Sequence, residues 1–292
     1  MERIVYLNGA YIPETEAKIS IFDRGFLFAD AVYEVTAVLN GQLIDNAGHL
    51  ARLEHSAKEL GIKLPVTSEE LTAIQKSLIE KNNLAEGSIY VQLSRGAESD
   101  RDFDYSEEIE PTLVLFTQTR KIINTPKKKT GIKVISYEDI RWRRRDIKTS
   151  GLLPACLAKH AAHAAGADDV WLIEDGFVTE GGSSNAYIIT QEGKLVTRPL
   201  SKDILSGITR ASLMKLSKDT GIEIEERPFS IEEAYAAKEA FISSATTFVW
   251  PVVEIDGKPI AAGKPGRFTL ELRDIYINTA QKISKEHSSG KR

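Results

Sequence analysis

A polar, cationic stretch near the middle of the chain, Thr119–Thr130, separates two parts that can each build a core. It carries five lysine and arginine side chains around Pro126 and few apolar residues, so it has no hydrophobic face to bury. The chain has 292 residues, a length that suits two domains of about 100–200 residues each. We therefore predict an N-terminal domain over residues 1–119, a linker over 120–130 and a larger C-terminal domain over 131–292.

Strand and helix signals follow one another in the N-terminal part and predict a small α+β domain. Arg3–Asn8 and Ala31–Leu39 are rich in strand-forming residues, and each runs into an Asn-Gly pair that is typical of a hairpin turn. Apolar residues recur at helical spacing from Asn46 to Leu60, and Thr67 opens a second helix with a capping pattern. Two further predicted strands are Ser88–Ser94 and Thr112–Thr117.

The C-terminal part is predicted to be rich in β-strands that are interspersed with helices. Gly207–Gly221 and Arg267–Ser284 have the apolar periodicity of helices. The predicted strands are Ile132–Tyr137, Asp169–Ile173, Ala186–Thr190, Lys194–Thr197, Glu239–Ser243 and Val249–Ile255. The expected fold class is thus a two-domain α/β (α+β) protein.

Composition argues against several classes of partner. The net charge of −4 leaves no basic footprint for nucleic acid, and no stretch approaches the 18 apolar residues of a membrane span. The N-terminus lacks an apolar signal region, and the single cysteine, Cys156, rules out an internal disulfide. The five histidines offer no metal-ligand set; His160 and His163 lie in an alanine-rich helix. We expect a cytoplasmic protein without membrane, nucleic-acid or metal partners.

Two residues suggest a specific chemistry. Lys148 follows the cationic run Arg143–Arg145, and cations and burial both favour the unprotonated amine that attacks a carbonyl. Glu180 precedes a Gly/Ser turn that is rich in backbone N–H and hydroxyl donors. A Schiff-base lysine and a carboxylate for a protonated pyridine nitrogen are what pyridoxal phosphate (PLP) chemistry requires. Each feature alone also has a simpler interpretation, a solvated basic face or an ordinary turn.

Four separated segments together resemble the fold-type IV PLP enzymes, the family of D-amino-acid transaminase and branched-chain aminotransferase. They are Phe22–Glu34, His49–Leu53, Asp139–Lys148, and Val178–Asn185 with Leu205–Arg210. The third segment resembles the D-amino-acid transaminase version of the lysine strand. The resemblance implies a homodimer with pyridoxal 5'-phosphate at the domain junction, in a site completed near a subunit interface.

The resemblance also implies a role for each residue of the cofactor site. Lys148 is expected to bond to the cofactor and to carry a proton between the substrate Cα and the cofactor C4′. Glu180 is expected to keep the pyridine nitrogen protonated, so that the ring accepts electrons. Arg52 is expected to bind the phosphate with its guanidinium fork. The other expected cofactor ligands are Ser183, Ser184, Leu205, Ile208, Thr209, Ala245 and Thr246.

The resemblance is weaker for the residues that contact the substrate. Tyr33 and Glu34 are adjacent on a strand and face opposite ways; the resemblance implies that Tyr33 faces the substrate and that Glu34 is structural or ion-paired. D-amino-acid transaminases hold the α-carboxylate with an arginine and a histidine two residues later. Arg101 stands at the arginine position, but Phe103 stands at the histidine position, in a loop that is one residue longer. We expect Arg101 to bind the carboxylate, with some tolerance of amines that lack one.

The expected reaction moves an amino group from a D-amino acid to an α-keto acid, 2-oxoglutarate or pyruvate, in two half-reactions through pyridoxamine phosphate. Alternatives within PLP chemistry are an (R)-selective amine transaminase, a branched-chain L-aminotransferase and aminodeoxychorismate lyase, which eliminates pyruvate without an acceptor. A non-catalytic PLP-binding module is an alternative from another class. The joint presence of Lys148, Glu180, Arg52 and Tyr33 argues against it.

Overall fold

The computed structural model describes residues 2–219 and 221–289, which form two compact units of mixed α and β structure. Of the described residues, the first unit contains 2–121, the segment Ile147–Gly151 and 281–289. The second unit contains Ile122–Asp146 and Leu152–Ala280. This division differs from the contiguous domains expected from the sequence, because the segment that carries Lys148 belongs to the first unit.

The first unit is built on a six-stranded sheet with the strand order β2-β1-β6-β5-β3-β4, in which every paired strand is antiparallel. Its strands are β1 (Ile4–Leu7), β2 (Ala10–Pro13), β3 (Ala31–Leu39), β4 (Gln42–Leu43), β5 (Glu86–Ser94) and β6 (Thr112–Thr119). Its helices are α1 (Arg24–Phe28), α2 (Asn46–Glu59) and α3 (Ser68–Lys81).

The predicted signals at the ends of these elements are confirmed. Both Asn-Gly pairs, at positions 8–9 and 40–41, have positive φ at both residues, and the strand residues that flank each pair lie opposite one another. This is the backbone that a two-residue hairpin turn requires. At the start of α3, Thr67 Oγ1 accepts from Glu70 N (3.2 Å) and Glu70 Oε2 accepts from Thr67 N (2.8 Å). Helix α3 therefore begins with a complete capping box.

Hydrogen bonds along β3 explain why the Lys148 segment joins the first unit. Tyr33 N donates to Lys148 O (3.0 Å), and Ser150 N donates to Ala31 O (2.9 Å). Ile147 is buried in the hydrophobic core that α2 and α3 form with the sheet. The segment thus runs beside β3 as a short antiparallel neighbour, held by backbone pairing and by one buried side chain.

The second unit contains a nine-stranded mixed sheet with the order β12-β11-β10-β13-β14-β7-β8-β9, and β15 pairs with β14. Its strands are β7 (Ile132–Glu138), β8 (Asp169–Glu174), β9 (Phe177–Gly181), β10 (Asn185–Ile189), β11 (Leu195–Thr197), β12 (Ile224–Glu226), β13 (Glu239–Ser244), β14 (Phe248–Ile255) and β15 (Lys258–Pro259). Its helices are α4 (Lys127–Thr130), α5 (Leu153–Ala164), α6 (Ile208–Asp219), α7 (Ile231–Tyr235) and α8 (Arg267–Ser289), the last assigned to this unit up to Ala280.

Two segments that the sequence indicated to be irregular are ordered. Within the expected linker, Ile122 is 1% exposed, and residues 127–130 form α4. Phe177–Gly181, which was not predicted as a strand, forms β9, and the predicted Gly/Ser turn follows Glu180 after Gly181. Strand β9 pairs with β8 across a two-residue turn at Asp175-Gly176, where both residues have positive φ, so a local hairpin signal was overlooked.

The start of α8 is bound by a carboxylate from β13. Glu239 accepts hydrogen bonds from Phe268 N (3.0 Å), Thr269 N (2.8 Å) and Thr269 Oγ1 (2.7 Å). A negative side chain at this end satisfies N–H groups that the helix itself leaves without acceptors. Across residues 2–219 and 221–289, no helix combines the length and the apolar character needed to cross a membrane.

Candidate active site

Lys148 and Tyr33, predicted to act on the substrate, lie together in the first unit. The Lys148 Nζ atom is 4.2 Å from the centroid of the Tyr33 ring. The lysine backbone is fixed on both sides, because its N–H donates to Ser56 Oγ (3.2 Å) and its carbonyl accepts from Tyr33 N (3.0 Å). The side chain is half-buried. An amine held by its backbone against an aromatic face is well placed to move a proton on a ligand bound there.

The Tyr33 ring belongs to an aromatic row on one face of the sheet. It stacks on Tyr90, with 5.5 Å between ring centroids, and Tyr90 stacks on Phe116 at 4.8 Å. Burial and the neighbouring Tyr33 raise the pKa of Tyr90, whose hydroxyl donates to Gln92 Oε1 (2.7 Å). The row restricts the orientation of the Tyr33 ring. Sequence reasoning missed Tyr90 and Phe116, since their proximity depends on the register of β3, β5 and β6.

Glu34 faces away from Tyr33, as the strand alternation predicted, and is ion-paired, as the resemblance implied. It is 1% exposed, and its carboxylate accepts from Arg52 Nε (2.7 Å) and Nη2 (2.9 Å) and contacts His49 Nδ1 (2.7 Å). Burial alone would raise the pKa of Glu34, but Arg52 and His49 together hold it at about 2. The expected phosphate ligand Arg52 therefore has its charge balanced by a carboxylate, a pairing that the sequence did not indicate.

Glu180 is a buried carboxylate of the second unit with hydrogen-bond donors on both of its oxygens. It is 4% exposed; its Oε2 accepts from Arg141 Nη1 (2.6 Å), and its Oε1 accepts from Asn185 Nδ2 (3.0 Å) and Leu205 N (2.9 Å). Burial raises the pKa of Glu180, and Arg141 opposes this effect. The donors fix the orientation of the carboxylate. The backbone N–H of the predicted ligand Leu205 is thus bonded to Glu180.

Arg141 connects Glu180 to a second buried carboxylate. Its Nε and Nη2 donate to the two carboxylate oxygens of Asp139 at 2.9 and 2.7 Å. Thr179 Oγ1 donates to Asp139 Oδ2 at 2.6 Å. Burial raises the pKa of Asp139, but Arg141 and Thr179 outweigh it and the pKa is lowered. The sequence indicated this segment only through the resemblance.

Residues 205–209 form a compact turn into helix α6. A Cβ on Gly207 would lie 1.9 Å from Asn185 Oδ1, so only glycine allows this close approach. Helix α6 begins at Ile208, and Thr209 is 3% exposed. The first turn of a helix offers backbone N–H groups without helical acceptors. The predicted ligands Ile208 and Thr209 thus lie where an anion can be bound.

The turn between β13 and β14 carries the predicted ligands Ala245 and Thr246, which are both half-buried. Ser244 Oγ and Thr247 Oγ1 lie 2.8 Å apart and close the turn with a side-chain hydrogen bond. Arg273 Nη1 donates to Thr247 O (2.7 Å) from the side of α8. The turn is therefore held by residues outside the predicted ligand pair.

The two predicted serine ligands differ in burial. Ser183 is exposed, whereas Ser184 is 9% exposed, and its hydroxyl has no hydrogen-bond partner among the described residues. A buried hydroxyl without a partner is costly unless a ligand or water satisfies it.

The predicted substrate loop presents Arg101 and Phe103 together with an aromatic ring of α1. The Arg101 guanidinium lies 5.0 Å from the ring centroid of Phe28 and 5.2 Å from that of Phe103. The two rings are 5.5 Å apart, and Phe103 is 76% exposed. Phe103 thus provides cation–π contact to the arginine instead of the hydrogen bond that a histidine would provide.

Two of the three arginines before Lys148, Arg144 and Arg145, are ion-paired. They therefore do not supply the unpaired positive charge that we expected near the lysine. Arg145 Nη1 pairs with Glu174 Oε2 (2.7 Å), and Arg144 Nη2 pairs with Asp146 Oδ2 (2.9 Å). Carboxylates in their own unit balance these cations.

As for metal binding, the described part of the chain contains no group of three or more His, Cys, Asp or Glu residues that could hold an ion.

The chain is similar over nearly its whole length to known aminotransferases. The model of the family described as amino-transferase class IV matches residues 31–255. The D-alanine aminotransferase of Staphylococcus aureus (strain N315) is 38% identical over 291 residues, 99% of this chain and 100% of the relative. The D-alanine aminotransferase of Bacillus licheniformis is 37% identical and covers 94% of this chain and 96% of its own.

Solved structures of related enzymes share the fold. A branched-chain amino acid aminotransferase of T.th., solved with pyridoxamine 5'-phosphate, has a TM-score of 0.88 and 26% identity, covering 96% of this chain and 94% of its own. A branched-chain aminotransferase of Thermoproteus uzoniensis, solved with norvaline, has a TM-score of 0.81 and 27% identity, with 94% of each chain covered.

Proposed function

Because the chain belongs to the class IV aminotransferase family, we propose that it moves an amino group from a D-amino acid to 2-oxoglutarate or pyruvate. It is a fold-type IV, PLP-dependent aminotransferase. The observation that carries the D-amino acid assignment is the 38% identity to a D-alanine aminotransferase along the entire chain. The two branched-chain enzymes compared above are only 26% and 27% identical.

The residues present fit pyridoxal 5'-phosphate. When bound, the cofactor supplies an electron-accepting ring and an aldehyde that bonds to amines. Glu180 is a buried carboxylate suited to a protonated pyridine nitrogen, and the Ser184 hydroxyl lacks a partner in the described structure. In the second unit we assign the phosphate to Ile208, Thr209, Ala245 and Thr246, which offer backbone N–H groups and hydroxyls. The phosphate role of the Arg52 guanidinium, in the first unit, rests on the resemblance alone.

We assign the proton transfers of the reaction to Lys148. Before substrate binds, the Lys148 amine would hold the cofactor; once the substrate amine has displaced it, the free amine would carry a proton between the substrate Cα and the cofactor C4′. The contact with the Tyr33 ring supports this role, because it holds the amine beside a residue that the resemblance assigns to the substrate. Glu180 would stabilise the proton on the pyridine nitrogen, and Arg141 supports this role because it lowers the pKa of Glu180 against the effect of burial.

We assign the substrate carboxylate to Arg101. Its guanidinium is exposed and is held only by cation–π contacts to Phe28 and Phe103, with no side-chain hydrogen bond to another described residue. Its donors therefore remain available for an anion. Phe103 contributes no donor, so the carboxylate depends on Arg101 alone within this loop.

A half-reaction screen tests the proposed function. Holoenzyme is mixed with D-amino acids, L-amino acids and (R)-amines in turn, and the absorbance change from the pyridoxal to the pyridoxamine form is followed. We expect conversion with D-alanine or D-glutamate. Conversion with branched-chain L-amino acids alone, or with (R)-1-phenylethylamine alone, would establish one of the alternative transaminases. Pyruvate release from aminodeoxychorismate without acceptor would establish a lyase, and no conversion with any donor a non-catalytic PLP protein.

We also propose that the enzyme works in the cytoplasm as a homodimer. The single cysteine, Cys156, is free and exposed, which suits a reducing compartment.

Leu153 and Leu157 lie four residues apart on one face of α5 and are 70% and 48% exposed, as in a surface that a second copy covers. Light scattering should give twice the mass of one chain for the wild type. The double variant Leu153→Glu, Leu157→Glu should have a lower mass, whereas the control variant Leu200→Glu, at another exposed leucine, should keep the dimer mass.

A further inference from the structure

The loop that carries Arg101 closes at its base through a close approach of two backbone segments. Gly96 has a φ of 112°, and a Cβ there would lie 1.9 Å from Glu110 O. Only glycine permits this contact. Residues 97–109 therefore leave and return to the sheet at nearly the same point, and most of their side chains are exposed. Such a loop buries little apolar surface that could order it.

A buried arginine from α1 binds the backbone of this loop. Arg24 is 6% exposed. Its Nη1 donates to Asp102 O (2.7 Å) and Asp104 O (3.1 Å), and its Nη2 donates to Phe103 O (3.0 Å). Its Nε donates to Asp30 Oδ2 (3.0 Å). One guanidinium thus holds three successive carbonyls, starting at the residue that follows Arg101.

A second arginine supports the same anchor. Arg95 Nε donates to Asp30 Oδ2 (2.7 Å), and its Nη2 donates to Leu60 O (2.7 Å) beyond the end of α2. The Tyr105 ring lies 4.0 Å from the Arg95 guanidinium and 5.0 Å from that of Arg24. Asp30 therefore balances two arginines, and the far part of the loop rests on both of them.

Arg24 and Arg101 differ in how many of their guanidinium N–H groups are bonded to protein. Arg24 uses four of the five N–H groups of a guanidinium in hydrogen bonds to protein. Arg101 makes only cation–π contacts with its guanidinium within the described chain. A buried arginine with its donors committed has little left to offer a substrate, whereas an exposed one has most of them.

We infer that Arg24 is a positioning residue for substrate selection, which orders residues 102–104 and thereby holds Arg101 where a carboxylate can meet it. This rests on the proposed carboxylate role of Arg101. Arg24 acts through the loop backbone and touches neither substrate nor cofactor. Ordering the loop before binding avoids an entropic cost when the substrate binds.

Hydrogen exchange of the full-length holoenzyme tests the anchor without reference to activity. In Arg24→Gln, amides in a peptide covering residues 98–108 should exchange about tenfold faster or more, because three carbonyls lose their charged donors. Arg24→Lys, which keeps the charge but not the fork, should give an intermediate rate. Arg3→Gln is the matched control, since Arg3 also donates to a carbonyl, Thr117 O (3.0 Å). Unchanged exchange in both Arg24 variants would overturn the inference.

A double-mutant cycle tests whether Arg24 acts through Arg101. Arg24→Gln should raise the KM for D-alanine about tenfold with little change in kcat, and should add almost nothing in an Arg101→Ala background. Equal losses in both backgrounds would overturn the functional part of the inference. A wild-type enzyme inactive on every D-amino acid would instead contradict the proposed function, and the exchange comparison would still decide whether Arg24 orders the loop.

Discussion

At the scale of single residues, the two groups assigned to proton chemistry are held in different ways. Lys148 is fixed by backbone hydrogen bonds to Tyr33 and Ser56, so its side chain keeps freedom to move between acceptor atoms. Glu180 is fixed by donors on both of its carboxylate oxygens. These restraints match the assigned roles, since a proton carrier must move and a partner for a ring nitrogen must stay in place.

Replacing Lys148 by Ala should abolish transamination and leave the fold intact, because the half-buried amine carries protons and bonds to the cofactor but packs little core. Activity, circular dichroism and the melting temperature measure the two effects. Borohydride reduction of the wild-type holoenzyme should fix the cofactor to the peptide that contains Lys148. Labelling of Lys159, on α5, would show that the assignment of the lysine is wrong.

Glu34 should make stability depend on pH in the acid range. Its folded pKa of about 2 lies below the ordinary value of 4.5, so its contribution is complete above about pH 4.5 and is lost as the pH falls through 2. At neutral pH it corresponds to about 3 kcal/mol. The free energy of unfolding of Glu34→Gln should therefore approach that of the wild type as the pH falls. Glu14→Gln, at an exposed ion pair, is the control; an equal pH dependence in both variants would contradict the assignment to Glu34.

At the scale of elements, strand β9 and residues 139–141, which follow β7, are joined by one continuous network of polar side chains. Thr179 and Glu180 leave β9 in opposite directions, yet both connect to Arg141, the first through Asp139 and the second directly. Alternation along a strand normally separates neighbours. Here the long guanidinium of Arg141 reaches both, so the state of Glu180 depends on a segment nearly forty residues earlier.

Removing the arginine of this network should move the acid limb of activity to higher pH. Arg141 lowers the pKa of Glu180 against burial, so Arg141→Met should raise that pKa further and protonate the carboxylate at a higher pH. As the pH is lowered, kcat of the variant should therefore fall at a higher pH than kcat of the wild type, and kcat at neutral pH should be about tenfold lower. Arg144→Met, which loses a pair with Asp146 on the same segment, is the control. Identical profiles for the two variants would refute this role.

Glu180→Gln should lower kcat more than it weakens cofactor retention. An amide cannot stabilise a protonated pyridine nitrogen as a carboxylate does, while the assigned phosphate ligands remain unchanged. Turnover and the dissociation constant of the cofactor, measured by equilibrium dialysis, separate the two effects. Unchanged turnover would show that another group holds the pyridine nitrogen.

At the scale of the whole molecule, single buried side chains join segments that are far apart in sequence. Arg273 on α8 is 1% exposed and donates to Thr247 O, Val249 O and Ile122 O at 2.7 Å each. It thereby joins the first residues of the second unit to the turn that carries Ala245 and Thr246. The predicted linker is partly core for this reason: its Ile122 carbonyl is an acceptor in the anchor.

Arg273→Met should destabilise the second unit by about 2–4 kcal/mol, because several buried carbonyls lose a charged donor together. The melting temperature and denaturant midpoint measure this loss. Arg267→Met is the matched control on the same helix, since Arg267 is exposed and pairs only with Glu271 four residues later; we expect little change there. A similar loss in both variants would indicate a general effect on α8 and not the anchor.

Local signals in the sequence were sufficient for much of the fold. Hairpin turns at Asn-Gly pairs, the Thr67 cap and the apolar stripe of α2 each depend on neighbours within a few residues, where steric and capping preferences act. The strand β3 was predicted with the bounds that the structure has. Strand β9 and helix α4 were missed, although β9 pairs with the preceding strand β8 across the two-residue turn Asp175-Gly176 and α4 is a single turn with local backbone hydrogen bonds.

The sequence alone determined the family, the cofactor and the candidate residues Lys148 and Glu180. Four separated motifs in the same order indicate one family, whereas each residue alone has a simpler interpretation. Only the tertiary structure decided the partners of those residues. Arg52 pairs with Glu34, Arg141 binds Glu180, and Arg24 holds the loop beside Arg101. These ion pairs and charge-assisted hydrogen bonds form when strand register and loop closure bring the groups within about 3 Å of each other. The local sequence of one segment does not indicate which distant segment it will contact.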